Sequence, residues 1–158
     1  MGEQKRVFAM IPGLENAEFL RYGVMHRNTF LHAPGFLDEH YQMIARPGTY
    51  FAGQMTGVEG YVESASSGMV AGISLARQML GMEPVDFSGL TAIGALSRHV
   101  ARATGDFQPM NANFGLIDAY PKKIRNKQER YGAIAARSLD YIEALRSNPL
   151  SCDFYPEA

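Results

Sequence analysis

An α/β fold with few strands and three main helices is what this sequence predicts, and three observations predict it. From Tyr50 to Leu80 the chain reads as a short strand, a glycine-bearing turn and one long helix. Two further stretches, Gly89 to Ala103 and Pro121 to Arg146, carry apolar residues at helical spacing. Only one other stretch, Arg21 to Leu31, alternates in the manner of a strand. With 158 residues the chain has the length of one domain and enough sequence to bury a core.

Taken in order, Gly2 to Ile11 reads as a short helix ended by Pro12, because proline cannot continue the hydrogen-bond ladder. In the alternating stretch Tyr22, Val24, His26, Asn28 and Phe30 share one face and Gly23, Met25, Arg27, Thr29 and Leu31 the other. Neither face is cleanly apolar, which fits a strand beside a ligand or an interface. Ala33 to Gly48 is loop, punctuated by Pro34–Gly35 and Pro47–Gly48. Tyr50, Phe51 and Ala52 form the apolar run expected of a buried strand end.

The turn after it holds Gly53, Gly57 and Gly60, which let the backbone bend tightly and approach a ligand. A helix starting near Gly60 directs unpaired N–H groups and a positive dipole end into that turn, a place for anionic or electron-rich groups. Tyr61, Ala65, Gly68, Gly72, Leu75 and Met79 fall on one stripe of this helix. Interior glycines cost about 1 kcal/mol each relative to alanine, so that stripe is expected to pack closely on a sheet or cofactor. The residues alone leave a second reading open: a tight strand-to-helix connection with no ligand.

Ser88 is the expected N-cap of the next helix, whose packing face is Leu90, Ile93, Leu96 and Val100. Phe107 to Leu116 reads as an ordered loop. In it Asn111 and Asn113 either stabilise turns or contact a ligand. The last helix is expected to pack through Tyr131, Ile134, Ala135, Ser138, Leu139, Ile142 and Leu145. Its first turns are expected to carry Lys122, Lys123, Arg125, Lys127 and Arg130 against Glu129 alone. Such a run reads either as a solvated helix face or as a set of phosphate contacts, since cations oppose the dipole at a helix N-terminus.

Composition excludes several classes. The net charge of −1 marks neither a nucleic-acid binder nor a membrane protein as a whole. A single cysteine, Cys152, rules out an intrachain disulfide and a cysteine metal site, which suits a reducing cytoplasm. No apolar run approaches a membrane span, and no apolar segment follows Lys5 and Arg6 as a signal peptide would require.

Four stretches together resemble one known group of proteins. They are Gly2–Phe30 (GEQKRVFAMIPGLENAEFLRYGVMHRNTF), Phe51–Gly72 (FAGQMTGVEGYVESASSGMVAG), Phe107–Leu116 (FQPMNANFGL) and Lys122–Arg130 (KKIRNKQER). In this order they resemble the flavoproteins that modify tRNA uridines, and most closely the folate- and FAD-dependent tRNA (uracil-5-)-methyltransferase family. The resemblance runs from Gly2 to about Leu145. It implies the C-terminal part of a Rossmann-like, glutathione-reductase-type FAD-binding fold. Residues 1–46 would end a substrate or insertion domain, 47–146 would complete the FAD domain, and 147–158 would be a tail. The family's G-x-G-x-x-G fingerprint does not occur in the chain, so the sequence reads as a fragment whose partner is a missing N-terminal portion.

The resemblance also implies roles. Gly53, Gln54, Thr56, Gly57, Gly60 and Tyr61 become cofactor-binding candidates for FAD. Glu59 reads first as an acidic residue favourable to a helix start and secondly as a residue near the flavin. An isolated histidine reads as a structural hydrogen-bonding group, but the family places an imidazole against the folate pterin. His26 is the candidate, with Arg27, Asn28, Asn111 and Asn113 as further folate contacts. Lys122, Lys123, Arg125, Lys127 and Arg130 become tRNA contacts. The implied reaction forms 5-methyluridine in the tRNA T-loop from methylenetetrahydrofolate and a flavin reduced by NAD(P)H. The family's catalytic cysteines have no counterpart here, Cys152 included, so no catalytic residue and no metal site is assigned and the chain alone is expected to be inactive. A related wobble-uridine-modifying flavoprotein, and a non-catalytic module binding tRNA or a partner, are the alternative readings.

Overall fold

The computed structural model describes residues 2–20 and 29–147. Among them the chain forms four helices, α1 (Gly2–Phe8), α2 (Tyr61–Met79), α3 (Ala92–Arg102) and α4 (Lys127–Ser147), with one 3-10 turn at Gly53–Thr56. Extended pairing among the described residues is confined to isolated bridges, Pro34 with Leu37, Leu37 with Met43, Gln42 with Tyr50, and Val58 with Met110. The fold is therefore mostly helical. Of the strand expected at Arg21–Leu31, residues 21–28 lie outside the described residues and residues 29–31 are not in a strand; the tail after Ser147, with Cys152, lies outside the described residues as well.

Tyr50–Ala52 does not extend into a strand. Tyr50 makes a single bridge to Gln42, and the Phe51 N–H donates to the Tyr41 carbonyl at 3.0 Å. Gly53 then takes φ +72 and turns the chain into the 3-10 turn, so no ladder continues.

The core lies between α2, α3 and the loops that cross them. Its buried members are Ala33, Leu37 and Tyr41 from the first loop, Val58, Val70 and Ala71 around α2, Leu96 and Val100 of α3, and Phe107. Burial raises the pKa of the Tyr41 phenol, against a hydrogen bond shared with Ser97.

The face that α2 turns inward is not the expected one. Ser67, Val70, Ala71, Ser74 and Arg77 are buried, whereas Tyr61 and Met79 of the expected stripe are 97 % and 79 % exposed. A Cβ added at Gly72 would meet nothing within 4 Å among the described residues. Buried serines are tolerable where the hydroxyl is bonded: Ser67 accepts the Gly53 N–H at 2.7 Å and donates to the Ser64 carbonyl at 2.7 Å.

In α3 the cap is Thr91 rather than Ser88. Thr91 accepts the Gly94 N–H at 3.0 Å from extended backbone, as an N-cap does. Ser88 sits at φ +60 and accepts the Leu90 N–H instead, closing the turn before the helix. This tight entry is possible because Gly94 passes against the backbone of Phe87 and Ser88. Arg98 then ties α3 to three loops through ion pairs with Glu39 (3.5 Å), Asp86 (3.3 Å) and Asp118 (3.9 Å).

Helix α4 begins at Lys127, capped by Asn126, whose Oδ1 accepts the N–H groups of Gln128 (2.8 Å) and Glu129 (3.3 Å). Lys122, Lys123 and Arg125 therefore precede the helix, a correction to their expected place in its first turns. Of its side chains only Ile134 is buried, and Leu139 of the expected stripe is 70 % exposed. Polar contacts hold it instead. Arg137 donates to the carbonyls of Asp118 and Ala119, Ser138 to that of Leu90, and Tyr141 to that of Asp86. No helix among the described residues is long and apolar enough to cross a membrane.

Candidate functional site

The glycine turn is built by local constraints. Gly53 and Gly57 bracket the 3-10 turn in left-handed conformations. Thr56, fully buried, donates its hydroxyl to the Gly53 carbonyl at 2.8 Å and so locks the turn from inside. Gly60 follows at φ 90 and ψ 145, a combination essentially limited to glycine. Helix α2 starts there with no side chain capping it, so its first N–H groups and dipole end face the turn. Gln54 and Tyr61 are exposed beside it. Glu63 stands in the first helical turn, a position favourable to a carboxylate.

The Phe107–Leu116 loop is laid against this turn. Met110 N–H donates to the Gly57 carbonyl and Glu59 N–H to the Met110 carbonyl, both at 3.0 Å. That pairing carries Asn111 to Gly60: a Cβ at Gly60 would lie 2.7 Å from Glu63 Cδ and 2.9 Å from Asn111 Nδ2. One expected folate residue thus borders the expected cofactor turn. Asn113 accepts the Gly115 N–H at 2.9 Å and donates to the Asn111 carbonyl at 3.2 Å, the work of a turn former. His26, Arg27 and Asn28 lie outside the described residues.

The basic cluster rims a concavity of about 560 Å³ between α4 and the segment before it. Lys122, Lys123, Arg125 and Arg130 line it with Phe114 and Tyr120, and no carboxylate among the described residues does. The Phe114 and Tyr131 rings stack at 4.0 Å and 5°. Lys127 and Arg130 lie 5.5 and 5.6 Å from the Tyr131 centroid, within cation–π range. Sequence reasoning found the cations but not this aromatic pair, which joins residues far apart in the chain.

His99 is a further residue the sequence did not single out. Its Nε2 is buried without a hydrogen-bond partner among the described residues, and its ring lies 5.9 Å from that of Phe107. Desolvation lowers its pKa below 6.5. The folded chain therefore binds fewer protons at this site than the unfolded chain. Stability from this group is complete above about pH 6.5 and falls as pH drops toward the folded pKa. Thermal melting followed over pH should show this loss, and His99→Leu should flatten it. No group of three or more His, Cys, Asp or Glu suited to a metal occurs among the described residues.

Residues 1–83 match the family model described as "Glucose inhibited division protein A". Among similar proteins, the Methylenetetrahydrofolate--tRNA-(uracil-5-)-methyltransferase TrmFO of Enterococcus faecalis (strain ATCC 700802 / V583) is 60% identical over 140 residues, 88% of this chain and 32% of that protein. The protein of the same name from Acetivibrio thermocellus is 58% identical over 142 residues, 89% of this chain and 33% of its own length. That of Staphylococcus aureus (strain Newman) is 55% identical over 144 residues, 90% of this chain and 33% of its own. The chain spans about a third of the length of these curated relatives.

Proposed function

Because this chain belongs to the glucose inhibited division protein A family, we propose that it is the C-terminal third of a folate- and FAD-dependent tRNA (uracil-5-)-methyltransferase. The observation that carries this reading is 55–60% identity, over nearly nine-tenths of the chain, to relatives that bear that name. In this reading residues 47–146 complete a Rossmann-like, glutathione-reductase-type FAD domain, and the exposed apolar side of α2 packs against the remaining two-thirds of the protein. The enzyme works in the cytoplasm on tRNA, with methylenetetrahydrofolate as carbon donor and NAD(P)H as reductant.

The residues of the turn fit a flavin. An uncapped helix start favours an anionic or electron-rich edge, and the missing Cβ at Gly60 lets the Glu63 and Asn111 side chains lie against the turn, where Asn111 can offer its amide to a ligand. Gly53, Gly57, Gly60, Gln54 and Tyr61 would contact it, while the buried Thr56 hydroxyl would hold the turn in shape. His26, Arg27, Asn28, Asn111 and Asn113 would serve the folate. When bound, the flavin supplies the redox chemistry that side chains lack. Lys122, Lys123, Arg125, Lys127 and Arg130 would neutralise tRNA phosphates, giving affinity that falls with salt.

The test is a chimera in which this chain replaces the matching third of the Enterococcus faecalis relative. The purified protein should show a flavin visible spectrum, and the double variant Gln54→Ala, Tyr61→Ala, at two exposed positions of the turn, should bleach it while circular dichroism stays unchanged. Flavin retained in full by that variant would move the cofactor contact away from this turn.

A further inference from the structure

We infer that the concavity before α4 receives an unstacked nucleotide of RNA, with its phosphates on the rim cations and its base on the Phe114 ring. This deepens the tRNA-binding reading above and rests on it. A surface that only tracks phosphates needs cations and no apolar floor. Here Lys122, Lys123, Arg125 and Arg130 surround a hollow whose lining also includes Phe114, Tyr131 and Ile134. At about 560 Å³ the hollow lies within the range of small-molecule sites.

The aromatic geometry supplies the second half of the argument. Tyr131 covers one face of Phe114 at 4.0 Å, yet Phe114 remains 39% exposed and lines the hollow. Tyr131 lines the hollow too, so the stacked pair presents there the ring surface that each leaves uncovered on the other, a platform of two rings. Bases stack on such platforms without regard to sequence. The wall is also shaped in advance. Asn126 ends the basic segment by capping α4, and Arg130 donates to the Ile124 carbonyl at 3.4 Å, drawing that segment onto the helix. A base paired within a duplex cannot reach the platform, so the site discriminates for loops and single strands.

The experiment measures binding of the 158-residue chain to an RNA stem-loop and to a blunt RNA duplex carrying the same number of phosphates. The stem-loop should bind more tightly. Phe114→Leu, which keeps apolar bulk but removes the ring, should weaken stem-loop binding about tenfold and leave duplex binding unchanged. Phe114→Tyr, which keeps a stacking face and guards against misfolding of the first variant, should retain wild-type preference. The double variant Lys122→Ala, Lys123→Ala should weaken both RNAs. Equal binding of the two RNAs by the wild type, or equal loss of both in Phe114→Leu, overturns the base platform and leaves the phosphate interface standing. Failure of the wild type to bind either RNA overturns both the platform and the interface reading it rests on.

Discussion

Gly94→Ala should be among the most damaging single-methyl changes in the chain, lowering stability by about 3 kcal/mol or more. Alanine is the better helix former, and in open helix it would be expected to gain about 1 kcal/mol over glycine. Here the added Cβ would fall against the Ser88 carbonyl and lie 2.6 Å from the Phe87 carbonyl carbon. Both are backbone, and the turn that holds them is pinned by Asp86, whose carboxylate accepts the Ser88 N–H at 2.7 Å. Relief would have to come from shifting the entry to α3, and with it Leu96 and Val100 in the core. Gly72→Ala is the control, because nothing among the described residues lies within 4 Å of its Cβ in α2. It should raise the melting temperature slightly in the isolated chain. If the two substitutions shift the melting temperature alike, the close approach of α3 to residues 87–88 is wrong.

Gly57→Ala should cost about 2–4 kcal/mol, from two separable causes. One is backbone: at φ 87 a residue with a Cβ is strained in the left-handed region. The other is steric, since the Cβ would lie 2.5 Å from Cε1 of the Phe107 ring. Phe107 cannot swing aside easily, because it is buried among Phe30, His32 and His99. A double-mutant cycle with Phe107→Leu separates the causes. The pair should be less destabilised than the sum of the singles, with the backbone penalty surviving. Strict additivity would show that the ring does not press on the turn.

How far the sequence reveals this molecule can be judged element by element. The start of α2 at Gly60 was legible because glycines followed by a periodic run leave few other foldings. Its inward face was not. The small residues Gly68 and Gly72 suggested close packing, while Ser67 and Ser74 looked like a polar side. Yet 67, 70, 71, 74 and 77 also follow helical spacing. The Ser67 hydroxyl, bonded to the turn and within the helix, makes serine serve as a small core residue, which composition alone does not reveal, while the buried Ser74 hydroxyl has no hydrogen-bond partner among the described residues. The start of α4 was missed for a different reason. Pro121 suggested a beginning, but Asn126 followed by Glu129 three residues later was the better local signal. Thr91 and Ser88 are chemically alike as caps, and only the backbone angle at Ser88 separates them. In the candidate site, the cations and the glycine turn were readable from short runs. The Phe114–Tyr131 stack and the approach of Asn111 to Gly60 depend on long-range docking that no local pattern encodes.

The outward side of α2 has a calorimetric consequence. Tyr61, Val62, Met69, Met79 and Leu80 hold apolar surface in contact with water, and hydration of such surface is what gives proteins their temperature-dependent enthalpies. Whatever covers that side should announce itself by a negative change in heat capacity on association. RNA meeting the basic hollow should instead announce itself through ionic strength, as counterions are released. The two events can thus be told apart by titrations that vary temperature in one series and salt in the other.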